Sequence, residues 1–425
     1  MVPVMYGLIG RQLTHSFSPY VHSLFGNAQY RIIELDDISA FLNHKSFRGI
    51  NVTIPYKEAV IPFLGAIDPL AEKIGSVNTI INENGLLKGY NTDYQGLKLS
   101  LDYHKVSLEN KKVLIVGNGG AAKTVALLAR DLHADRVVKV CRNIRETDEY
   151  PLKDIEHFHD FEVVINTTPI GMYPHNSDTP LFSLKPFTRL ACVMDLIYNP
   201  LKTKWLLEAE SLNIPAYNGL YMLVAQAKES HDRFFHKETP LSELNKNYNK
   251  LRAKMTNLVF VGLPMSGKSL YARRLEPLFR KHYIDTDREI EKNAGMSIVD
   301  IFRTQGEKAF RKLEFDLIKN LYRSHNQIIS TGGGMIMNAE LMDLLKQNGL
   351  IIYLDKAPSE ILKRQIRNRP LMQNADDLYR LAELRGPLYQ KHADITFKLT
   401  GDITDHIQEV ERKINEHFSH KRTKH

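Results

Sequence analysis

Cysteine is nearly absent. Cys141 and Cys192 are the only two in 425 residues, and neither belongs to a CxxC pair or a Cys/His cluster. That pattern argues against a disulfide framework and a structural zinc site, and a reducing, cytoplasmic setting is expected. Long apolar runs are also missing: no stretch approaches the roughly 18 residues needed to span a bilayer. MVPVMYGLIG at the N-terminus lacks the charged-then-apolar pattern of a secretory signal and reads as a first strand. No short repeat is visible. Charge of one sign is not concentrated. The 57 Lys and Arg against 49 Asp and Glu leave a formal charge of +8, but the basic residues are dispersed apart from the terminal His420-Lys421-Arg422-Thr423-Lys424. Small anionic ligands are therefore expected, with neither nucleic acid nor membrane as partner.

With 43% hydrophobic and 25% charged residues, the chain has the material for two or three ordinary globular cores. Two glycine-rich loops stand out, each after a β-branched run: VLIVGNGGAA at 113–122 and LVFVGLPMSGKS at 258–269. Strand, glycine turn and helix in that order mark an α/β nucleotide site. The loops differ in type, so they imply two different nucleotide domains and not a duplication. Residues 236–256 are rich in Lys and Asn and poor in large apolar residues. The expected organisation is an α/β lobe over 1–100, joined by helices at about 219–235; a Rossmann lobe over 101–218; a partly helical linker over 236–255; and a P-loop α/β domain over 256–425.

Gly117-Asn118-Gly119-Gly120-Ala121-Ala122 fits G-x-G-x-x-G/A. Small residues let the backbone approach a pyrophosphate, and the next helix aims its N-terminal amides at it. The strand that follows, RVVKVCR, bears on the cofactor. NAD sites carry an acidic residue at this point for the ribose 2′-hydroxyl. Here no carboxylate precedes Glu146, and Arg142 and Arg145 stand in its place. Guanidinium groups suit a 2′-phosphate, so NADP(H) is expected.

The first lobe holds polar clusters. Ser16 and Ser18 lie two residues apart and, in an extended segment, point the same way. Lys57 closes the strand-and-turn stretch Asn51-Val52-Thr53-Ile54-Pro55-Tyr56-Lys57. Ser76-Val77-Asn78-Thr79 and Asn91-Thr92-Asp93 add amides, hydroxyls and a carboxylate. In this order, GLIGRQLTHSFSP, GINVTIPYK, GSVNTI, GYNTD, GNGGAA, INTTPIGM, DLIYNPLKT and GLYMLVAQA closely resemble shikimate dehydrogenase over about residues 5–235. The resemblance implies that Lys57 and Asp93 are the catalytic pair. It also implies that Ser16, Ser18, Thr53, Asn78, Asp93, Tyr198 and Gln226 bind the substrate, with Gly219 and Met222 near the nicotinamide. The family's Asn-Arg-Thr at the 2′-phosphate site is Cys141-Arg142-Asn143 here, and Gln12 replaces a common proline.

Gly262-Leu263-Pro264-Met265-Ser266-Gly267-Lys268-Ser269 is a complete P-loop, G-x-x-x-x-G-K-S. Its backbone amides cradle ATP phosphates, Lys268 reaches the terminal ones, and Ser269 ligates Mg²⁺. Asp285-Thr286-Asp287, Phe310-Arg311-Lys312-Leu313-Glu314, Thr331-Gly332-Gly333-Gly334, Arg369-Pro370-Leu371 and Arg385-Gly386-Pro387-Leu388-Tyr389 follow. This series resembles shikimate kinase over about 256–400. The resemblance places Asp285 near Mg²⁺ and Asp287 on the substrate hydroxyls, where it can orient or deprotonate the attacking one. It places Arg311 and Arg385 on the substrate carboxylate, Gly333 and Gly334 at close backbone approach, and Arg369 in a lid over about 364–378. Either Arg364 or Arg367 would add a further contact to ATP. Met265 stands where the family has glycine, and a positive φ there would strain the loop.

Together these resemblances imply two consecutive reactions: reduction of 3-dehydroshikimate to shikimate, then its phosphorylation. Two other readings remain. One is a quinate-type dehydrogenase joined to another small-molecule kinase. The other is a ligand sensor that keeps the folds without catalysis.

Overall fold

The computed structural model describes residues 5–13, 16–363, 375–400 and 403–419. The chain forms two compact units, one from Met1–Asn199 and Thr203–Leu251, the other chiefly from Arg252–Thr423. Among the described residues, no helix is long and apolar enough to cross a membrane.

The first unit contains two sheets. The first is built from β1 (Tyr6–Gly10), β2 (Arg31–Glu34), β3 (Gly49–Val52), β4 (Ala66–Ile67), β5 (Thr79–Glu83) and β6 (Leu86–Tyr90), in the order β2-β1-β3-β5-β6-β4. β1 runs parallel to β2 and β3, while β5 is antiparallel to β3 and β6. The helix Leu220–Phe235 lies far along the chain from this sheet, yet it packs here. The Phe234 ring occupies the space a side chain at Gly49 would need.

The second sheet comprises β7 (Lys112–Val116), β8 (Arg136–Cys141), β9 (Glu149–Pro151), β10 (Val163–Asn166), β11 (Cys192–Asp195) and β12 (Ala216–Asn218), in the order β12-β11-β10-β7-β8-β9. All its pairings are parallel. Counted from β7, this is the doubly wound order, with its switch point between β7 and β10. A parallel sheet is covered on both faces, so β7 reads as an unbroken apolar run. Val113 and Ile115 enter one core and Leu114 and Val116 the other.

The second unit repeats this logic on a third sheet. Its strands are β13 (Asn257–Val261), β14 (His282–Asp285), β15 (Gln327–Ser330), β16 (Gly349–Lys356) and β17 (Ile395–Leu399), all parallel, in the order β14-β15-β13-β16-β17. Val259 and Val261 face one core, Leu258 and Phe260 the other. Where a partly helical linker over 236–255 is expected, the chain forms the helix Leu241–Met255. Leu244, Tyr248, Leu251 and Met255 are all buried, the spacing of one helical face.

One expectation of local structure fails. Ser16–Ser18 is not extended: Ser18 opens the helix Ser18–Leu24, and Phe17 has helical backbone angles. Proline at the second position, Pro19, favours this start. The two hydroxyls still converge, with Oγ atoms 3.1 Å apart.

His22 of this helix is 1% exposed and stacks on Tyr30 at 3.8 Å. Burial, then the charge of His231, hold its imidazole down at about 3 against an ordinary 6.5. The unfolded chain thus takes up a proton that the folded chain refuses. The stability tied to this group is present above about pH 6.5 and is lost as pH falls toward about 3. Trp205, the chain's single tryptophan, is buried in the same unit. Denaturant unfolding followed by its fluorescence should show a loss of about 2 kcal/mol between about pH 6.5 and pH 5, and His22→Phe should flatten that slope.

Candidate active sites

In the first unit, Lys57 follows β3 by a short turn. Its carbonyl accepts from Val77 N–H at 2.8 Å, which ties the turn to the Ser76–Thr79 segment. Asp93 opens the helix Asp93–His104, where a carboxylate is stabilised by the helix N-terminus. Lys57 Nζ donates to Asp93 Oδ2 at 2.6 Å, and both side chains are mostly buried. Asn78, expected on the substrate, is 3% exposed, and its amide is engaged within the protein. Its Oδ1 accepts from Thr92 N–H at 2.8 Å and Thr79 Oγ1 at 3.1 Å, and its Nδ2 donates to Thr92 Oγ1 at 3.0 Å. These bonds tie Asn78 to the turn that presents Asp93 and use one of its two Nδ2 donors.

Thr53 is half-buried beside Gly10. Gln226 is half-buried on the helix Leu220–Phe235, its Nε2 donating to Leu223 O at 2.9 Å. Gly96 permits that helix to approach, since a side-chain carbon there would stand 2.9 Å from the Gln226 backbone nitrogen. Tyr198 meets Phe17 edge to face at 6.5 Å, and burial pushes its phenol up to about 12. It therefore stays protonated and can act only as a neutral hydrogen-bonding group near neutral pH.

The glycine loop lies at the switch point. Gly117 has φ +108, and a side-chain carbon there would come within 2.7 Å of Thr167 Oγ1. Gly119 caps the helix Gly120–Asp131, and Ala121 follows within its first turn. At Gly120 such a carbon would stand 2.9 Å from Ser76 Oγ and 3.9 Å from Lys57 Cδ. The dinucleotide turn and the Lys57–Asp93 pair thus share one cleft. Ser76 Oγ is buried with no partner among the described residues. The helix N-terminus, the bare glycines and this orphan hydroxyl fit a pyrophosphate. Gly219 is pressed against Leu196 O with no room for a side chain. Met222 is 9% exposed within the Rossmann core.

At the end of β8, Arg142 and Arg145 are exposed. The sequence places no acid there before Glu146, but the fold brings Glu149 beneath the turn. Its Oε2 accepts from Arg145 N–H at 2.6 Å and Asn118 Nδ2 at 3.2 Å. Asp195, at the end of β11, is another buried acid. It accepts from Thr203 Oγ1, Asn166 Nδ2 and Ile197 N–H at 2.7, 3.0 and 3.1 Å. Burial pushes it up to about 7 against the pull of those three donors.

In the second unit, the P-loop leads from β13 into the helix Lys268–Phe279, with Gly267 at φ +104 as its cap. Lys268 Nζ donates to Gly262 O at 3.0 Å and Leu263 O at 2.8 Å. Ser269 Oγ donates to Asp285 Oδ2 at 2.8 Å, which itself accepts from Tyr283 Oη at 2.9 Å. Two oxygens so placed, completed by phosphate and water, suit Mg²⁺. Met265 has φ +63, so the left-handed backbone feared from the missing glycine is present.

A pocket of about 930 Å³ opens beside the loop, with Asp287, Arg311, Glu314, Gly333, Gly334 and Arg385 in its wall. The glycines have steric reasons. A carbon added at Gly334 would stand 2.5 Å from an Arg311 nitrogen, and one at Gly332 would stand 2.7 Å from Asp287 Oδ1. Arg385 Nη1 donates to Gly333 O at 3.0 Å. Tyr389 Oη, one turn on, donates toward Gly262 O at 2.9 Å and Gly333 O at 2.6 Å, joining P-loop and pocket. Glu314, three residues after Arg311, accepts from its Nη1 at 2.9 Å. Burial raises the Glu314 carboxyl, while Arg311 pulls it back down. Ser266 Oγ, Glu314 Oε1 and Arg385 Nε are buried without partners among the described residues, the mark of a site built for a polar ligand. Arg369, Arg364 and Arg367 lie outside the described residues. Glu314 and Tyr389 received no role from the sequence, although their i+3 and i+4 spacing from the two arginines was a readable signal.

Comparison with known proteins agrees with both geometries. A family model described as shikimate dehydrogenase substrate binding domain matches residues 8–80, and one described as shikimate kinase matches residues 264–416. The shikimate dehydrogenase (NADP(+)) of Methanococcus maripaludis is 39% identical over 255 residues, covering 54% of this chain and 90% of that protein. A chorismate mutase/shikimate 5-dehydrogenase fusion protein from Clostridium acetobutylicum superimposes with a TM-score of 0.54 at 33% identity, covering 58% of this chain and 96% of that one. Shikimate 5-dehydrogenase from Thermus thermophilus, in complex with NADP(H) and shikimate, gives 0.52 at 26% identity, covering 58% and 99%. By its first unit the chain belongs to the shikimate dehydrogenase family, and its second unit carries a shikimate kinase domain.

Proposed function

We propose that the chain reduces 3-dehydroshikimate to shikimate with NADPH and then phosphorylates shikimate to shikimate 3-phosphate with ATP and Mg²⁺, in a cytoplasmic setting. The carrying observation is that each nucleotide loop has its own reaction-specific partners beside it: Lys57 and Asp93 at Gly120, and Asp287, Arg311 and Arg385 at the P-loop. Retention of these groups in working geometry disfavours a non-catalytic sensor.

NADPH, when bound, supplies the hydride. Lys57 then protonates the oxygen that becomes the new hydroxyl, with Asp93 holding the ammonium in place. Ser16 and Ser18 offer paired hydroxyls to the carboxylate, and Tyr198 and Gln226 offer further neutral contacts. In the second unit, ATP with Mg²⁺ supplies the phosphoryl group. Lys268 exchanges its loop carbonyls for phosphate oxygens, Asp287 orients the attacking hydroxyl, and Arg311 and Arg385 hold the carboxylate.

Lys57→Met should lower kcat for NADPH-dependent reduction by about 10²–10⁴-fold with little change in KM. Ser16→Ala should mainly raise KM. Both variants should keep kinase activity. Wild-type kcat in Lys57→Met would mean that the proton comes from another group.

Met265→Val puts a β-branched residue at a left-handed position and should raise the KM for ATP about tenfold, whereas Met265→Asn should hold it within about twofold. Steady-state kinetics of the kinase reaction checks both.

The proposed domain division is tested by fragments 1–255 and 241–425, each retaining the helix Leu241–Met255. Each should fold and keep its own reaction. An inactive fragment beside an active full chain would refute independent folding.

A further inference from the structure

The turn that distinguishes this chain from its family at the cofactor site starts with Cys141 in place of asparagine. A thiol is a weak donor. Its Sγ stands 3.4 Å from Asn143 O and 3.7 Å from Glu149 Oε2. Something stronger must hold Arg142–Arg145, since exposed residues on a short turn have little packing to fix them. Two side chains do this. Asn118, on the glycine loop, donates its amide to Asn143 O at 2.7 Å. Glu149 joins the same amide group to Arg145 N–H through one carboxylate oxygen.

Glu149 itself cannot reach a ligand, because its side chain is only 2% exposed. Its other oxygen lies 3.3 Å from Lys139 Nζ, itself buried and also paired with Glu146 and with Asp148 at 3.1 Å. Burial raises the Glu149 carboxyl, but the bonds from Arg145 N–H, Asn118 and Lys139 outweigh it and hold the group ionised. The buried charge is therefore neutralised from behind and does not repel an anion in front. Lys139, Arg130, Arg142 and Arg145 outnumber the three carboxylates of Glu146, Asp148 and Glu149, and Arg130 is paired with Asp148.

We infer that Glu149 is the positioning residue of cofactor choice: with Asn118 it locks the Arg142–Arg145 turn to the glycine loop, so that the arginines face the 2′-phosphate. The inference rests on the dehydrogenase reading and adds to it a residue that touches no ligand. It also explains why a chain with an acid at this site still suits NADP(H). In an NAD site the carboxylate faces the ribose, whereas here it faces inward and holds cations outward.

Glu149→Gln tests it in the full chain. Three donors converge on the carboxylate, and a carboxamide cannot accept on both sides. The KM for NADPH should rise about tenfold, the loss of one hydrogen bond to a charged group. The KM for NADH, the KM for 3-dehydroshikimate and kcat should stay within about twofold of wild type. Glu149→Asp keeps the charge but shortens its reach to Arg145 N–H and Asn118, and should shift the same ratio if Glu149→Gln fails to fold. Calorimetric titration supplies a readout independent of turnover. Adenosine 2′,5′-bisphosphate should lose affinity for both variants, while 5′-AMP should not. Equal losses for NADPH and NADH, or for both adenosine probes, would mean a merely structural role and overturn the inference. An unchanged ratio in both variants would do the same. A wild-type chain that binds the bisphosphate over 5′-AMP but reduces no ketone would sink the dehydrogenase reading and leave Glu149 in its place.

Discussion

Unsatisfied amides at the first turn of a helix, delivered by a buried parallel strand, are the constraint on which both units depend. A strand buried on both faces must be apolar throughout, and it ends where the sheet's carboxyl edge meets the helix start. The donors there are free to hold phosphate. That geometry forbids side chains close by. Gly117 sits against Thr167, Gly120 against Ser76, and Gly262 against Leu354 O at 2.8 Å. The same edge gathers the other groups of each site. Thr167 follows β10, Asp285 ends β14 and Ser330 ends β15.

Around these amides, buried acids serve as fixtures. Asp93 aims a lysine, Glu314 braces an arginine, Glu149 ties down a turn and Asp195 gathers two loops and a helix cap. An ion pair taken out of water contributes little net stability. Its return here is orientation. Glu149 and Asp195 accept from several donors, Asp93 sits at a helix start and Glu314 pairs with Arg311 across one helical turn, so each partner has few other positions available.

The motifs and the order of the polar clusters were readable because each reflects a local rule: glycine at a tight turn, apolar runs through a covered sheet, lysine after the P-loop glycine. Two things were not readable. Ser16 and Ser18 converge through a helix start set by Pro19, not through an extended strand. Glu149 is separated from the turn it holds by the excursion between β8 and β9, and parallel pairing of Lys139 with Glu149 is what returns it. Helical spacing would have shown Glu314 beside Arg311, whereas no local spacing would have shown Glu149 beneath Arg145.

In the proposed assignment the two units grip the same molecule in different ways, and the difference follows from the charge each reaction handles. The first unit offers the carboxylate neutral hydroxyls, from Ser16 and Ser18. The mostly buried ammonium of Lys57 is reserved for the oxygen that develops charge. A guanidinium on the carboxylate would put a second buried cation in the same cleft, where like charges repel. The second unit must hold a carboxylate near a triphosphate. There the anions repel each other, and Arg311, Arg385 and Lys268 are needed together to offset them. Arg385 is 6% exposed and burial pulls its pKa down, a cost the unit bears with Nε unpaired. A buried guanidinium in that state gains most from an incoming carboxylate, so the charge that makes the free pocket costly is the same charge that selects an acidic substrate.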